Sequence, residues 1–142
     1  MKSESSDEYD RRGVVAVVAR EGRFLVIRRS RHVVAPLAYC FPGGGIEAAE
    51  SETAALVREV HEELALRLQP IRRLWESVTP WNVHLAWWQA EIDVQATPVP
   101  NSSEVESVHW LTPTEMAGLP GLLESNLAFL DALNRGQIEL RG

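Results

Sequence analysis

The sequence predicts one domain of the α/β (α+β) class, in which helices and a mixed β-sheet form a sandwich. Three observations support this class: the chain has 142 residues, 45% of them are hydrophobic, and strand-like and helix-like segments alternate along it. One domain usually contains about 100 to 200 residues, and this hydrophobic fraction can form a core without disulfides or a structural metal. We expect the domain at residues 13–136, a flexible tail at residues 1–12 and a short tail at residues 137–142.

The first two strands are predicted to form a β-hairpin. Residues 14–18 are an almost unbroken β-branched run, and residues 24–27 are a second apolar run. Glu21 and Gly22 stand between the two runs, where a tight turn would let the strands pair. We therefore expect these two runs to be neighbours in one sheet.

A third extended segment leads into the main helix. Residues 37–41 are followed by Pro42 and three glycines, which predict a turn where the backbone can closely approach a ligand. Ser51 is a suitable N-cap, and the apolar spacing after it is helical. Pro70 is expected to end this helical region.

The second half of the chain predicts two strands, a polar loop, a short strand, a capped helical turn and a closing helix. These elements are placed at residues 73–78, 83–92, 95–103, 108–111, 112–119 and 122–133, respectively. The order of strands and helices is the basis for the mixed sheet and the sandwich.

The overall charge narrows the classes of partner. The chain has 14 Lys and Arg against 20 Asp and Glu, which gives a net charge of -6. This sign is unfavourable for binding a nucleic acid polymer or an anionic membrane, so we expect neither partner.

The single cysteine, Cys40, indicates a reducing compartment. Because the sequence also shows no signal peptide and no apolar run of membrane-spanning length, we expect a cytoplasmic protein.

The helix after Ser51 carries an unusual set of acidic residues. Glu59, Glu62 and Glu63 stand at i, i+3 and i+4, so their side chains converge. Each like-charge pair costs an isolated helix about 0.2 to 0.5 kcal/mol, and the negative end of the helix dipole adds to this cost. The plain alternative is a solvated acidic face. Because Arg58 alone cannot neutralise three carboxylates, the pattern favours a divalent metal such as Mg²⁺, which prefers oxygen ligands.

The glycine run and the acidic helix together resemble the box of the Nudix hydrolase family. The family pattern is Gly, five residues, Glu, seven residues, Arg-Glu, an apolar residue, any residue, Glu-Glu, any residue, Gly and an apolar residue. The chain has this pattern across residues 44–66, with Gly44, Glu50, Arg58-Glu59 and Glu62-Glu63 at the matching positions. Ala65 stands where the family has its last glycine. A left-handed helix end at Ala65 would cost roughly 1 kcal/mol, unless the helix ends in another way.

The resemblance implies a Nudix-type α/β/α sandwich that hydrolyses a nucleoside diphosphate linked to another moiety, with Mg²⁺ or Mn²⁺ as cofactor. The expected partner is therefore a small-molecule nucleotide or nucleoside diphosphate derivative. Matching positions imply metal ligands and orienting residues. The implied ligands are Glu59, Glu62, Glu63 and the carbonyl of Gly43, and the implied orienting residues are Arg58 and Glu50.

In some Nudix enzymes the general base is a glutamate on a late loop, a few residues ahead of a tryptophan strand. Glu104 has this position here, six residues before Trp110, with Glu106 as a nearby rival. A base on a loop can reach the attacking water from another side than the helix does. Because other family members use a box glutamate, Glu59 is the alternative base.

Arg28 and Arg29 follow the second predicted strand and are candidates for binding substrate phosphates that the metal does not cover. A solvated strand end explains them equally well.

Two other functions remain open for the chain. One is a non-catalytic Nudix-like nucleotide-binding or sensor module, for which Ala65 is the only encouragement. The other is an isoprenyl diphosphate isomerase, which would need an activated cysteine that Cys40 does not suggest. The sequence leaves open the exact substrate and whether the chain forms a homodimer.

Overall fold

A computed structural model describes residues 11–141, which form eight strands and three helices. The strands are β1 (Arg12–Val17), β2 (Ala19–Arg20), β3 (Arg23–Arg29), β4 (Tyr39–Cys40), β5 (Gly43–Gly45), β6 (Leu68–Val78), β7 (His84–Ile92) and β8 (Val105–Leu111). The helices are α1 (Glu52–Leu64), α2 (Pro113–Ala117) and α3 (Glu124–Asn134). Within this described part, no helix is both long and apolar enough to cross a membrane.

Two four-stranded sheets organise the fold. The first has the order β5-β1-β7-β6, in which β1 and β7 are parallel and the other neighbours are antiparallel. The second is built around β3, which pairs with β2, β4 and β8. The predicted α/β (α+β) class with a mixed sheet is therefore confirmed.

Strand β1 lies between two separate cores. Val14 and Ala16 belong to the core that contains the apolar residues of α1, whereas Val15 and Val17 belong to the core that contains Phe129 of α3. Because successive side chains of a strand point to opposite faces, this division places one helix on each side of the first sheet. The arrangement is the α/β/α layering that the family resemblance implied.

The predicted hairpin was wrong in one of its strands. The turn at Glu21 and Gly22 joins β2 to β3, and Leu25 donates to the carbonyl of Val18 at 3.0 Å. Strand β1 instead pairs with β5 and β7 in the other sheet. The physical reason is burial: Val14–Val17 are all buried, which requires a central strand covered on both faces.

The glycine run is a strand and not the predicted turn. Gly43, Gly44 and Gly45 form β5 and pair antiparallel with β1. A Cβ atom at Gly43 would overlap the carbonyl oxygen of Val14, so the close approach of the two strands requires glycine there. The sequence indicated a close approach correctly, but its partner is the protein's own backbone.

Pro70 does not end the helical region as predicted, because it lies inside β6, which begins at Leu68. Strand β6 is the edge of the first sheet, where a proline without an N–H is tolerated. The register with β7 also shifts between Pro70 and Arg72, so an irregular position accommodates the ring.

Several local predictions are confirmed. The hydroxyl of Ser51 accepts from the N–H of Ala54 at 3.1 Å and caps α1. Thr112 begins α2 with a capping box, and residues 95–103 contain no strand or helix. Helix α1 ends with Ala65 in the left-handed conformation at φ 56°, so the alanine adopts the geometry that usually favours glycine.

The chain ends of the described part pack against the domain. Arg12 begins β1, Ile138 is 4% exposed, and the N–H of Arg141 donates to the side chain of Gln89 at 3.1 Å. Residues 1–10 and 142, which belong to the predicted tails, lie outside the described residues. The division at residues 13–136 stays a prediction.

Candidate active site

Helix α1 and a distant loop bring three glutamates together. Carboxylate oxygens of Glu59, Glu63 and Glu104 all lie within 4.8 Å of one another, and we call these residues the acid cluster. Glu59 and Glu63 are one turn apart on α1, whereas Glu104 lies at the end of the loop before β8. Within residues 11–141, no Lys, Arg or His forms an ion pair with Glu63 or Glu104. A set of converging carboxylates with so little positive charge fits a hard divalent cation.

Glu63 is the most buried member of the acid cluster. It is 6% exposed, and its carboxylate accepts from the N–H of Gly43 at 3.1 Å. Burial raises the pKa of Glu63 to about 8, and the charges of Glu59 and Glu104 act in the same direction. The hydrogen bond from the N–H of Gly43 and the positive charge of Arg29 act against this rise in the pKa. Since a buried carboxylate without a cation is costly, Glu63 is where an added positive charge would stabilise the protein most.

Glu59 is the member of the acid cluster that also contacts Arg58 and β5. Burial raises its pKa, although a hydrogen bond from Arg58 at 3.0 Å acts against this rise. A Cβ atom at Gly44 would overlap the Glu59 carboxylate. A side chain at residue 44 would therefore displace this carboxylate, so the glycine leaves room for Glu59 beneath β5.

Arg58 is the centre of an ion-paired group that adjoins the acid cluster through Glu59. Its guanidinium donates to both carboxylate oxygens of Glu50, at 2.7 and 2.9 Å, and to the carbonyl of Gly45 at 2.9 Å. We call Arg58, Glu50 and Gly45 the arginine hub. The hydrogen bonds from Arg58 lower the pKa of Glu50 to about 2. The hub ties α1 to β5, and the orienting role of Arg58 and Glu50 stays a prediction.

Two of the predicted metal ligands lie outside the acid cluster. The side chain of Glu62 is 46% exposed and faces Arg58, at 3.4 Å from its guanidinium. The structure thus places Glu104, and not Glu62, beside Glu59 and Glu63. Gly43 meets the cluster through its N–H, which donates to Glu63. Ligand roles for Glu62 and for the Gly43 carbonyl stay predictions.

The loop that carries Glu104 is attached to the end of α1. We call residues 99–104 the acid loop. The N–H of Asn101 donates to the carbonyl of Glu63 at 2.9 Å, and the hydroxyl of Ser30 donates to the carbonyl of Ser103 at 2.9 Å. Neither Asn101 nor Ser30 was predicted to belong to the site. The run Asn-Ser-Ser was a usable signal, because asparagine often closes such turns through its side chain.

The two candidate phosphate-binding arginines are the last two residues of β3 but have different surroundings. Arg28 donates to the carbonyl of Leu37 at 3.1 Å and lies over the ring of Tyr39. Arg29 donates to the carbonyl of Val34 at 2.7 Å. The charge of Arg29 also acts against the rise in the pKa of Glu63 that burial causes. Phosphate binding by either residue stays a prediction.

Cys40 has the environment of a structural residue. It is 5% exposed, and burial raises the pKa of its thiol to about 11. A nucleophilic cysteine has a lowered pKa, because the thiolate is the reactive form. The isomerase alternative, which needs an activated cysteine, therefore gains nothing from the structure.

Known proteins resemble this chain in sequence and in fold. The NUDIX domain family matches residues 9–133. The chain is 28% identical over 122 residues to a CTP pyrophosphohydrolase of Escherichia coli (strain K12), which covers 84% of this chain and 87% of that protein. It is 34% identical over 108 residues to a MutT-like protein of Streptomyces ambofaciens, which covers 73% of this chain and 65% of that protein. The crystal structure of the MutT protein from Methanosarcina mazei Go1 has a similar fold, with a TM-score of 0.72 at 22% identity, over 89% of this chain and 94% of that chain.

Proposed function

The chain belongs to the NUDIX domain family and is a Nudix hydrolase, and we propose that it cleaves the diphosphate bond of a nucleoside diphosphate linked to another moiety in a reaction that requires Mg²⁺ or Mn²⁺. The observation that carries the metal requirement is the acid cluster: three carboxylates meet, and the most buried of them, Glu63, has no cationic partner among the described residues. The family supports hydrolysis of nucleoside diphosphate derivatives in general.

A diphosphate bridge resists hydrolysis because its negative oxygens repel an incoming nucleophile. Glu59 and Glu63 would hold a divalent ion where the substrate phosphates complete its shell, and Glu104 beside them would add negative charge and accept a hydrogen bond from water bound to the ion. When bound, the ion supplies positive charge to the phosphate oxygens and lowers the pKa of a water ligand. The contribution of the protein is to hold these carboxylates in place against their mutual repulsion.

We assign the general base to Glu104. Its carboxylate enters the acid cluster from the acid loop, whereas Glu59 and Glu63 enter it from α1. Glu59, the alternative, already accepts a hydrogen bond from Arg58 at 3.0 Å, which occupies one of the two oxygens that a base would use. Glu106, the rival in the sequence, is not part of the acid cluster of the described residues.

The substrate is proposed to be a small nucleotide, bound through its phosphates. Arg28 and Arg29 lie at the end of β3 and are the candidates for holding phosphates beyond the metal. One relative is named as a CTP pyrophosphohydrolase, so nucleoside triphosphates are the first substrates to test. The net charge of -6 argues against a nucleic acid polymer as substrate, and the single buried thiol is suited to a reducing compartment such as the cytoplasm.

A substrate screen tests this proposal. Nucleoside triphosphates including CTP, oxidised nucleotides, ADP-ribose and dinucleoside polyphosphates would each be incubated with the protein, with and without Mg²⁺. Phosphate, pyrophosphate and nucleoside monophosphate would be followed as products. We expect turnover of at least one compound, dependent on the divalent ion. Nucleotide binding without turnover of any compound would contradict the proposal and favour the sensor module.

A further inference from the structure

The acid loop caps the C-terminal end of α1. The last carbonyls of a helix have no partner within the helix. Here the N–H of Val99 donates to the carbonyl of Leu64 at 2.8 Å, and the N–H of Asn101 donates to the carbonyl of Glu63 at 2.9 Å. The side-chain amide of Asn101 also donates to the carbonyl of Glu62 at 3.3 Å. The loop therefore moves with the helix turn that carries Glu63.

Asn101 links the backbones of two members of the acid cluster. Its N–H donates to the carbonyl of Glu63, and its own carbonyl accepts from the N–H of Glu104 at 2.8 Å. A single residue thus spans the distance between the two glutamate backbones. Any change in the conformation of Asn101 would change the separation of Glu63 and Glu104.

The side chain of Asn101 fixes that conformation. Its side-chain oxygen, Oδ1, accepts from the N–H of Ser103 at 3.2 Å and from the hydroxyl of Ser103 at 2.9 Å. This is the pattern in which an asparagine side chain closes a turn on the residue two positions ahead. Because Asn101 is exposed, these hydrogen bonds, and not burial in a core, hold the turn.

Ser30 provides a second attachment from the end of β3. It is 1% exposed, its hydroxyl donates to the carbonyl of Ser103 at 2.9 Å, and its N–H donates to the carbonyl of Glu104 at 3.0 Å. The acid loop is therefore held on one side by α1 and on the other by the second sheet, with Glu104 between the two attachments.

We propose that Asn101 is a positioning residue, supported by Ser30, that holds Glu104 against Glu59 and Glu63 in the geometry needed for metal binding and hydrolysis; this proposal rests on the proposed function. Without these bonds the loop would relax away from the helix, because the three carboxylates repel one another. A displacement of about 1 Å at a reacting group can cost on the order of 10²-fold in rate.

The first test is a comparison of two substitutions in the same loop. Asn101→Ala removes the turn-closing acceptor and the donor to α1, whereas Ser102→Ala changes an exposed neighbour. We expect Asn101→Ala to lower kcat by about 10- to 100-fold, in the range seen for outer-shell residues, while KM changes by less than about threefold. Ser102→Ala should retain the wild-type kcat. Ser30→Ala should lower kcat in the same direction as Asn101→Ala.

A double-mutant cycle distinguishes positioning from general stabilisation. If Asn101 acts through Glu104, adding Asn101→Ala to Glu104→Gln should lower kcat by less than about twofold further, because the group being positioned is already lost. A purely structural role would give the same fold-loss in both backgrounds. Such additive losses would overturn the proposal.

A binding experiment without substrate makes the proposal independent of turnover. Mn²⁺ would be titrated into the wild type, Asn101→Ala and Ser102→Ala, with free Mn²⁺ measured by electron paramagnetic resonance. We expect Asn101→Ala alone to weaken Mn²⁺ binding, by about tenfold. Equal affinities in all three proteins would contradict a role in holding the cluster. A wild-type protein that binds Mn²⁺ but hydrolyses nothing would refute the proposed function, and the titration would still decide the role of Asn101.

Discussion

Glu50 and Glu63 lie on either side of Arg58 in the sequence, and their surroundings change their acidity in opposite directions. In the arginine hub, hydrogen bonds from Arg58 lower the pKa of Glu50 to about 2. In the acid cluster, burial and neighbouring carboxylates raise the pKa of Glu63 to about 8. The same residue type is thus stabilised as an anion in one region and destabilised in the other. The positive charge of Arg58 pairs with Glu50 and Glu59, whereas within residues 11–141 neither Glu63 nor Glu104 forms an ion pair.

This difference indicates which glutamates we expect to act on a ligand. The arginine hub is complete by itself, because two hydrogen bonds pair Arg58 with Glu50 and a third joins Arg58 to β5. The acid cluster costs folding free energy as long as its charges are uncompensated. Such an unfavourable arrangement is typical of sites where a bound ligand offsets the free-energy cost. We therefore expect the divalent ion and the chemistry at the acid cluster.

The most damaging substitution should be Glu63→Gln. It removes the most buried carboxylate of the acid cluster while keeping its size, and the loss of several kcal/mol of metal-derived stabilisation corresponds to a decrease of about 10³-fold or more in kcat. Steady-state kinetics on the substrate found in the screen would measure this decrease. Glu76→Gln, at an exposed ion pair with Arg73, is the matched control and should retain full activity. Full activity in Glu63→Gln with unaltered Mg²⁺ dependence would refute the metal role of the cluster.

Glu104→Gln should lower kcat by about 10²-fold or more with little change in substrate binding, because a general base contributes about 10²- to 10⁴-fold. Glu106→Gln is the natural control, since Glu106 lies two residues further along and is exposed. Both variants would be compared by kcat and KM under saturating Mg²⁺. A loss of less than about threefold in Glu104→Gln would move the role of the base to Glu59.

Arg58→Lys tests the arginine hub. Lysine keeps the charge but cannot make the paired hydrogen bonds to Glu50, so Glu59 would lose its fixed orientation, and we expect kcat to fall about tenfold. Arg73→Lys is a matched control, because Arg73 also donates to both oxygens of one carboxylate, that of Glu52, at the other end of α1. Equal losses of activity in the two variants would mean that the hub has no special connection to the site.

The smallest expected effect concerns the end of α1. Ala65→Gly should stabilise the protein by about 1 kcal/mol, because Ala65 is strained in its left-handed conformation and glycine is not. Ala54→Gly, inside the same helix, should destabilise the protein by about 0.5 to 1 kcal/mol. Denaturant unfolding would measure both changes. An unchanged kcat in Ala65→Gly would show that the departure from the family glycine affects stability and not catalysis.

The sequence predicted those features that depend on local spacing. The acidic face, Arg58 and the Ser51 cap follow from helical periodicity within a few residues, and all lie on α1 as expected. Glu104 was found only through the family resemblance, since the loop and the helix are distant in the sequence.

The errors concern non-local contacts. Strand β1 leaves the predicted hairpin because its partners, β5 and β7, are far along the chain. The attachment of Asn101 to the end of α1 is non-local in the same way, because its side-chain amide donates to the carbonyl of Glu62, 39 residues away in the sequence. Periodicity alone carries no information about such contacts.

The stability of the metal-free protein tests most directly whether the acid cluster lacks a compensating positive charge. The pKa of Glu63 rises from 4.5 to about 8 on folding. Between these pH values the unfolded chain has released a proton that the folded protein still holds, so the free energy of unfolding of the wild type should fall as the pH rises, by up to about 1.4 kcal/mol per pH unit. Glu63→Gln has no such proton at this position, so its stability should depend less on pH.

Denaturant unfolding of the wild type and Glu63→Gln at about pH 8, with and without Mg²⁺, is therefore the decisive measurement. Without metal, the variant should be more stable than the wild type. With Mg²⁺ at about 100 times its dissociation constant, the wild type should gain about 2.7 kcal/mol and the variant much less, so the difference between them should shrink or reverse. An equal gain in both proteins, or no gain in either, would contradict the conclusion that the acid cluster is a divalent-cation site.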